Sequence, residues 1–227
     1  MELTEQALLK IAGSLNSHGP GLSGDLIPDG VKFVQSLPYG MPGAIVVHEQ
    51  RPCWRTMRVA NPCQYSASLN RHYGHSVTTG ATEYTVSFPY VVSVVLVQIM
   101  THAKIHLMPR RLEVYFNTRP LESLDDKLFR SCLLNVKDDC ACLAGIAYRG
   151  EPAKTWQDAM QIGIMHVYES GFNSSHGEYQ LAVCNMSMEM WRDMSQEDEF
   201  FWKTYRWPQA DSPRNRVLSI YQSLIYR

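Results

Sequence analysis

Val91-Val92-Ser93-Val94-Val95-Leu96-Val97-Gln98-Ile99-Met100 is the stretch on which the fold turns. A strand with one wet face alternates apolar and polar residues. From Val91 to Val97 both alternating sets are apolar apart from Ser93, which predicts a strand in the middle of a sheet, covered on both sides. The β-branched composition suits a pleated, buried surface. Interrupted by Ser93 and Gln98, the run is too short to span a bilayer.

Further strands are expected on either side of it. Gly43 to His48, Trp54 to Ala60, Thr82 to Phe88, Lys104 to Met108 and Arg111 to Asn117 are rich in Val, Ile, Tyr and Thr and bounded by Pro, Gly or Asn. An antiparallel meander accommodates them. Phe88-Pro89-Tyr90 reads as structure, since proline inside a β-rich stretch marks a bulge or a strand boundary. Ahead of the strands, Leu3, Ala7, Leu8, Ile11 and Leu15 fall on one helical face, predicting an amphipathic helix over Glu2 to Leu15. Asn16 to Gly30, with four glycines and two prolines, reads as a linker.

Past Phe116 the chain turns irregular through Arg119-Pro120-Leu121 and Asp125-Asp126, a long ordered loop of the kind that carries function. From Lys154 to Ser170, Trp156, Ala159, Met160, Ile164, Val167 and Tyr168 recur at helical spacing, with Thr155 as the N-cap and Gly171 as the stop. Tyr179 to Cys184 looks like a short strand. The Met- and Trp-rich stretch Met186 to Met194 and the aromatic run Phe200-Phe201-Trp202 suggest at least one further helix. The expected organisation is an N-terminal helix and linker (1–30), a core (31–176) and a helical, aromatic-rich C-terminal extension (177–227). Trp191, Trp202 and Trp207, with Phe200, Phe201 and Tyr205, read first as core packing and second as a partner-binding surface.

The chain has 227 residues, enough for one substantial core, and its 45% hydrophobic and 11% aromatic content excludes long disorder. With 21 basic against 22 acidic side chains, no global field recruits nucleic acid or an anionic membrane. The short basic run Pro109-Arg110-Arg111 reads as a solvated strand end. Six cysteines without regular spacing, and a start that lacks the regions of a signal peptide, predict a reducing cytoplasm and no membrane anchor. There is no glycine-rich phosphate loop, no Gly-x-Ser-x-Gly elbow and no His-Glu-x-x-His segment, so nucleotide hydrolase, esterase and metalloprotease chemistry have no support. His72 and His75 supply too few ligands for a metal, and Cys140 with Cys142 at most two.

The chemistry is concentrated in Leu133-Leu134-Asn135-Val136-Lys137-Asp138-Asp139-Cys140-Ala141-Cys142-Leu143, with Trp156 following. A thiol nucleophile needs partial exposure and a nearby amide donor for the oxyanion formed when a thioester carbonyl is attacked. Cys142 and Asn135 are of the right types; the competing reading is that Cys142 is a small buried hydrophobe. Cys140 is a second thiol, able to pair with Cys142 in a strained disulfide, to share a metal or to sit idle. In Tyr168 to His176, Asn173 and His176, with Glu169 behind them, could orient an incoming amine, or simply end a helix in a solvated turn.

The order Phe88-Pro89-Tyr90, Arg119-Pro120-Leu121, Asn135-Val136 and Cys142-Leu143-Ala144-Gly145 resembles that of the divergent prokaryotic ubiquitin-conjugating-enzyme-like proteins, the PRTRC system protein B group and its plasmid and phage relatives. The resemblance spans roughly residues 80 to 176. It implies an α+β fold with an N-terminal helix, an antiparallel four-stranded meander, an irregular active-site loop and C-terminal helices. It further implies a thioester-forming carrier in which Cys142 takes a ubiquitin-like modifier from an activating enzyme and Asn135 stabilises the oxyanion, with no bound cofactor. The alternative is a silent relative that keeps the fold as an interaction or assembly protein. Oligomeric state is not readable from these residues.

Overall fold

The structure, a computed structural model, describes residues 29–41, 43–60, 81–100, 106–143, 153, 155–169 and 181–226. It is a mixed α+β fold in which an antiparallel seven-stranded sheet is followed by C-terminal helices. The expected helix over Glu2 to Leu15, the linker as far as Pro28, His72, His75 and Gly171 lie outside the described residues.

The strands are β1 (Val31–Ser36), β2 (Gly43–Gln50), β3 (Cys53–Ala60), β4 (Ala81–Phe88), β5 (Tyr90–Met100), β6 (His106–Asn117), β7 (Phe129–Arg130), β8 (Val136–Lys137) and β9 (Cys140–Ala141). The main sheet runs β1-β2-β5-β6-β9-β8, with β7 also on β6, while β3 and β4 pair only with each other. The expected four-stranded meander is therefore enlarged at both sides. β1 adds an edge that its mixed sequence VKFVQS did not announce. The segments expected as separate strands either side of Pro109 are one strand, because the register shift between Leu96 and Val97 absorbs the extra residue.

β2–β3 and β4–β5 are one long hairpin broken in the middle. Gln50 faces Val91 and Cys53 faces Phe88, so the register passes through unshifted and sets Pro52 opposite Pro89. Neither proline has an N–H to give, so the ladder is interrupted there and β3–β4 leaves the sheet as a separate ribbon.

β5 is central, between β2 and β6, and its two faces enter two cores. Val91, Val95 and Val97 join Val46, Leu112, Val114 and Phe116 on one side. Val92, Val94 and Leu96 meet Ile45, Val47 and Tyr115 on the other.

Three α-helices are described in full. α1 (Trp156–Glu169) crosses β6 and β5 on the first face. It starts where Thr155 and Asp158 cap each other: the Asp158 N–H donates to Thr155 Oγ1, and the Thr155 N–H to Asp158 Oδ2, both at 3.1 Å. Gly163 lets α1 approach closely, since a Cβ there would stand 3.0 Å from the Pro109 ring. α2 (Met188–Glu197) lies along β4, capped by Ser187. α3 (Pro213–Ile225), capped by Ser212 with proline in its first turn, covers β5 and β2 on the second face. Residues 181–183 are helical, not the short strand expected there. Of the C-terminal aromatics Trp191, Phe201, Trp202 and Trp207 are buried in the core, Tyr205 is half-buried and Phe200 is exposed. No helix among the described residues is long and apolar enough to cross a membrane.

Candidate functional site

The segment holding Asn135 and Cys142 is a tight hairpin, where an irregular loop was expected. β8 and β9 pair Val136 with Ala141 and Lys137 with Cys140. Asp138 and Asp139 between them have φ of 49° and 66°, the positive pair that a type I′ turn requires and that aspartate tolerates better than most residues. The hairpin is joined to β6 by the Glu113–Cys140 pairing and by the Val114 N–H, which donates to the Asp139 carbonyl at 2.9 Å.

Register decides which side chains share a face. Val136 and Ala141 pack into the first core. Alternation then puts Asn135, Lys137, Cys140 and Cys142 on the opposite face. The Cys142 N–H donates to the Asn135 carbonyl at 2.8 Å, so these residues sit directly across the hairpin from one another. Cys142 is exposed and Asn135 half-buried. In an extended strand Cys140 and Cys142 stand about 6.6 Å apart, whereas a disulfide needs Cβ atoms roughly 4 Å apart. The intact hairpin therefore keeps these thiols separate.

Beside the hairpin, on the face of Cys140, lies a charge cluster absent from the expected site. Glu113 is 0% exposed, and Arg216 of α3 clamps its carboxylate from Nε and Nη2, both at 2.8 Å. Arg111 approaches within 2.6 Å and the Tyr115 hydroxyl donates at 2.7 Å. Arg111 is thus part of a buried network, which corrects its reading as a solvated strand end.

Burial pushes the Glu113 carboxyl up, but the Arg216 and Tyr115 hydrogen bonds and the charges of Arg216 and Arg111 outweigh it and hold the group below its ordinary value. The Cys140 thiol is raised by burial, against the pull of Arg111, which also hydrogen-bonds it. Burial likewise raises Asp139, whose enclosed Oδ1 makes no hydrogen bond. Two further thiols, Cys132 and Cys184, are buried; burial pushes Cys184 up to about 12 and Cys132 also well up.

Of the expected site residues, the hairpin brings together Asn135, Cys140 and Cys142. Glu169 is the last residue of α1, and Asn173 and His176 lie outside the described residues. Trp156 opens α1 and packs half-buried against the first core. Among the described residues no group of three His, Cys, Asp or Glu side chains could hold a metal ion. The Glu113 cluster did leave a trace in the sequence: Arg111, Glu113 and Tyr115 alternate with Leu112, Val114 and Phe116, a polar stripe along a strand with an apolar back. Arg216, a hundred residues further on, left none.

Comparison with family models, curated proteins and solved structures found no match to this chain.

Proposed function

We propose that this protein carries an acyl group as a thioester on Cys142. The modifier would be a ubiquitin-like protein, received from an activating enzyme and passed to an amine or thiol, as the resemblance to ubiquitin-conjugating enzymes implies. The observation that carries this reading is an exposed Cys142 directly across a paired hairpin from Asn135. A strained turn stitched to the central strand β6 holds both residues in place, so the thiol is presented without a flexible loop to order.

In the first step the Cys142 thiolate attacks the thioester carbonyl carbon at the modifier's C-terminus. Its S–C bond forms as the S–C bond to the activating enzyme breaks, and that thiolate leaves, taking up the proton Cys142 gave up. In the second step the acceptor nitrogen or sulfur attacks the same carbon, loses its proton, and Cys142 departs as thiolate. The side-chain amide of Asn135 is the donor for the oxyanion in both steps. The Cys142 N–H is committed to the Asn135 carbonyl and does not serve.

That commitment favours a second reading, a silent relative that binds and does not transfer. So do Leu133 and Leu134, which stand where the family commonly has His-Pro and are buried apolar residues.

Intact-mass labelling with a small alkylating reagent at neutral pH, followed by incubation with a short peptide α-thioester, separates the two. Cys142 should be modified first and should take up the acyl group in a hydroxylamine-labile adduct that Cys142→Ala abolishes and Cys140→Ala retains. Asn135→Ala should slow acylation at least about tenfold while leaving alkylation unchanged. Alkylation without acyl uptake would assign the chain to the binding reading.

A further inference from the structure

The ribbon β3–β4 has two outer edges, and the fold treats them differently. On β4, the Ser87 N–H donates to Ser195 Oγ at 3.0 Å and the Ser87 carbonyl accepts from Trp191 Nε1 at 3.0 Å, so α2 closes that edge. Both backbone groups of Ser87 therefore point away from β3. Trp54 is its ladder partner, so the Trp54 N–H and C=O must point away from β4. With the period of two, those of Thr56 and Arg58 do the same. All three residues are exposed, and no strand pairs with this edge among the described residues.

Between them stands Arg55, on the other face. Its guanidinium lies 4.0 Å above the Tyr168 ring, its enclosed Nε makes no hydrogen bond, and among the described residues no carboxylate pairs with it. A half-buried cation without a counter-charge is costly. Arg51 precedes it, exposed, and Arg58 pairs with Glu83 loosely, at 4.0 Å and in solvent. Carboxylates do stand near this strand, Glu83 across from Arg58, and Glu199, which accepts from Trp54 Nε1 at 3.3 Å, but among the described residues neither these nor any other reaches Arg55.

We propose that the β3 edge docks an extended segment of another protein, which adds a strand beside β3 and places a carboxylate opposite Arg55. Main-chain bonds to Trp54, Thr56 and Arg58 supply the pairing. The docked residue opposite Arg55 falls between those bonded positions. Such non-bonded pairs bring Cβ atoms to about 4.5–5.5 Å, within reach of a guanidinium for Asp or Glu. On the other face Trp54, its indole N–H held by Glu199 at 3.3 Å, stays 46% exposed and offers its ring to a β-branched neighbour. This surface is independent of the chemistry at Cys142.

The test is selection of a displayed library of random ten-residue peptides against the whole protein, then anisotropy with the enriched peptides made synthetically. Enrichment of β-branched residues around one fixed Asp or Glu is expected. Changing that acid to its amide should weaken binding about tenfold, and Arg55→Gln should erase the difference between the two peptides. Thr56→Pro should abolish binding while leaving the β3–β4 ladder intact, because the N–H it removes points outward. A peptide N-methylated at its bonding positions should fail against the unaltered protein, which holds even if the proline variant does not fold. Three results would overturn the proposal: no enrichment, enriched peptides indifferent to these changes, or a concentration-dependent dimer that Thr56→Pro dissolves, which would assign the edge to a second copy.

Discussion

Glu113 shows how one buried carboxylate can tie distant parts of a chain together. It joins β6 to α3 through Arg216 and lies against the hairpin through its pairing with Cys140. Arg216→Ala leaves that charge short of its bidentate partner and should cost roughly 3–5 kcal/mol in urea unfolding. Arg216→Lys should recover only part, since a lysine cannot clamp both oxygens. The pH dependence follows from the lowered pKa. Glu113 takes up a proton less readily folded than unfolded, so its contribution is complete above the ordinary glutamate value, ~4.3, and is lost as pH falls through the folded value. Asp139, raised by burial, acts in the opposite direction and at higher pH: its burden is full above its folded value and is relieved as pH falls from there to the ordinary aspartate value, ~3.9. Glu113→Gln should therefore flatten the acid limb, seen as a smaller drop in urea midpoint between neutral pH and the acid side than the unaltered protein shows.

The β8–β9 hairpin is a strained element at its turn. Asp138 and Asp139 hold positive φ where a type I′ turn favours Asn-Gly, and Asp139 also encloses an oxygen without a hydrogen bond. Asp139→Gly removes both burdens and should stabilise by about 1 kcal/mol, read as a raised urea midpoint with an unchanged slope. A lower midpoint would show that the carboxylate's attraction to Arg130 and Arg216 outweighs its burial. This hairpin was partly legible. The alternation Val136, Ala141 inward and Asn135, Cys142 outward is a period-two pattern, but Asp-Asp is not a familiar hairpin turn, and the segment looked like loop. The ribbon was legible as two strands and not as a departure from the sheet, because only pairing places Pro52 opposite Pro89. Helix α1 was read closely, since its cap and its apolar spacing are local properties.

The molecule as a whole is a sheet between two cores, closed on the ribbon side by aromatic packing. Trp191 is central there: its ring lies 4.9 Å from that of Phe88 and 5.8 Å from that of Phe116, and its Nε1 binds the Ser87 carbonyl. Trp191→Ala should cost about 3–5 kcal/mol and Trp191→Phe, which orphans that carbonyl and leaves a smaller void, less than that but at least about 1–3 kcal/mol. Hydrogen exchange should place the loosening in β3 and β4 for both, ahead of β5. What the sequence determined alone was whatever depends on neighbours in the chain: the doubly covered run Val91 to Val97, the mixed α+β class, the helix behind Thr155, and the burial of Trp191, Trp202 and Trp207. The tertiary structure decided everything that depends on partners far along the chain. It brought Arg216 to Glu113, turned Asn135 and Cys142 to face one another, closed one edge of the ribbon with α2 and left the other unpaired among the described residues. Local periodicity reports which way a side chain faces; only the folded register says what it meets there.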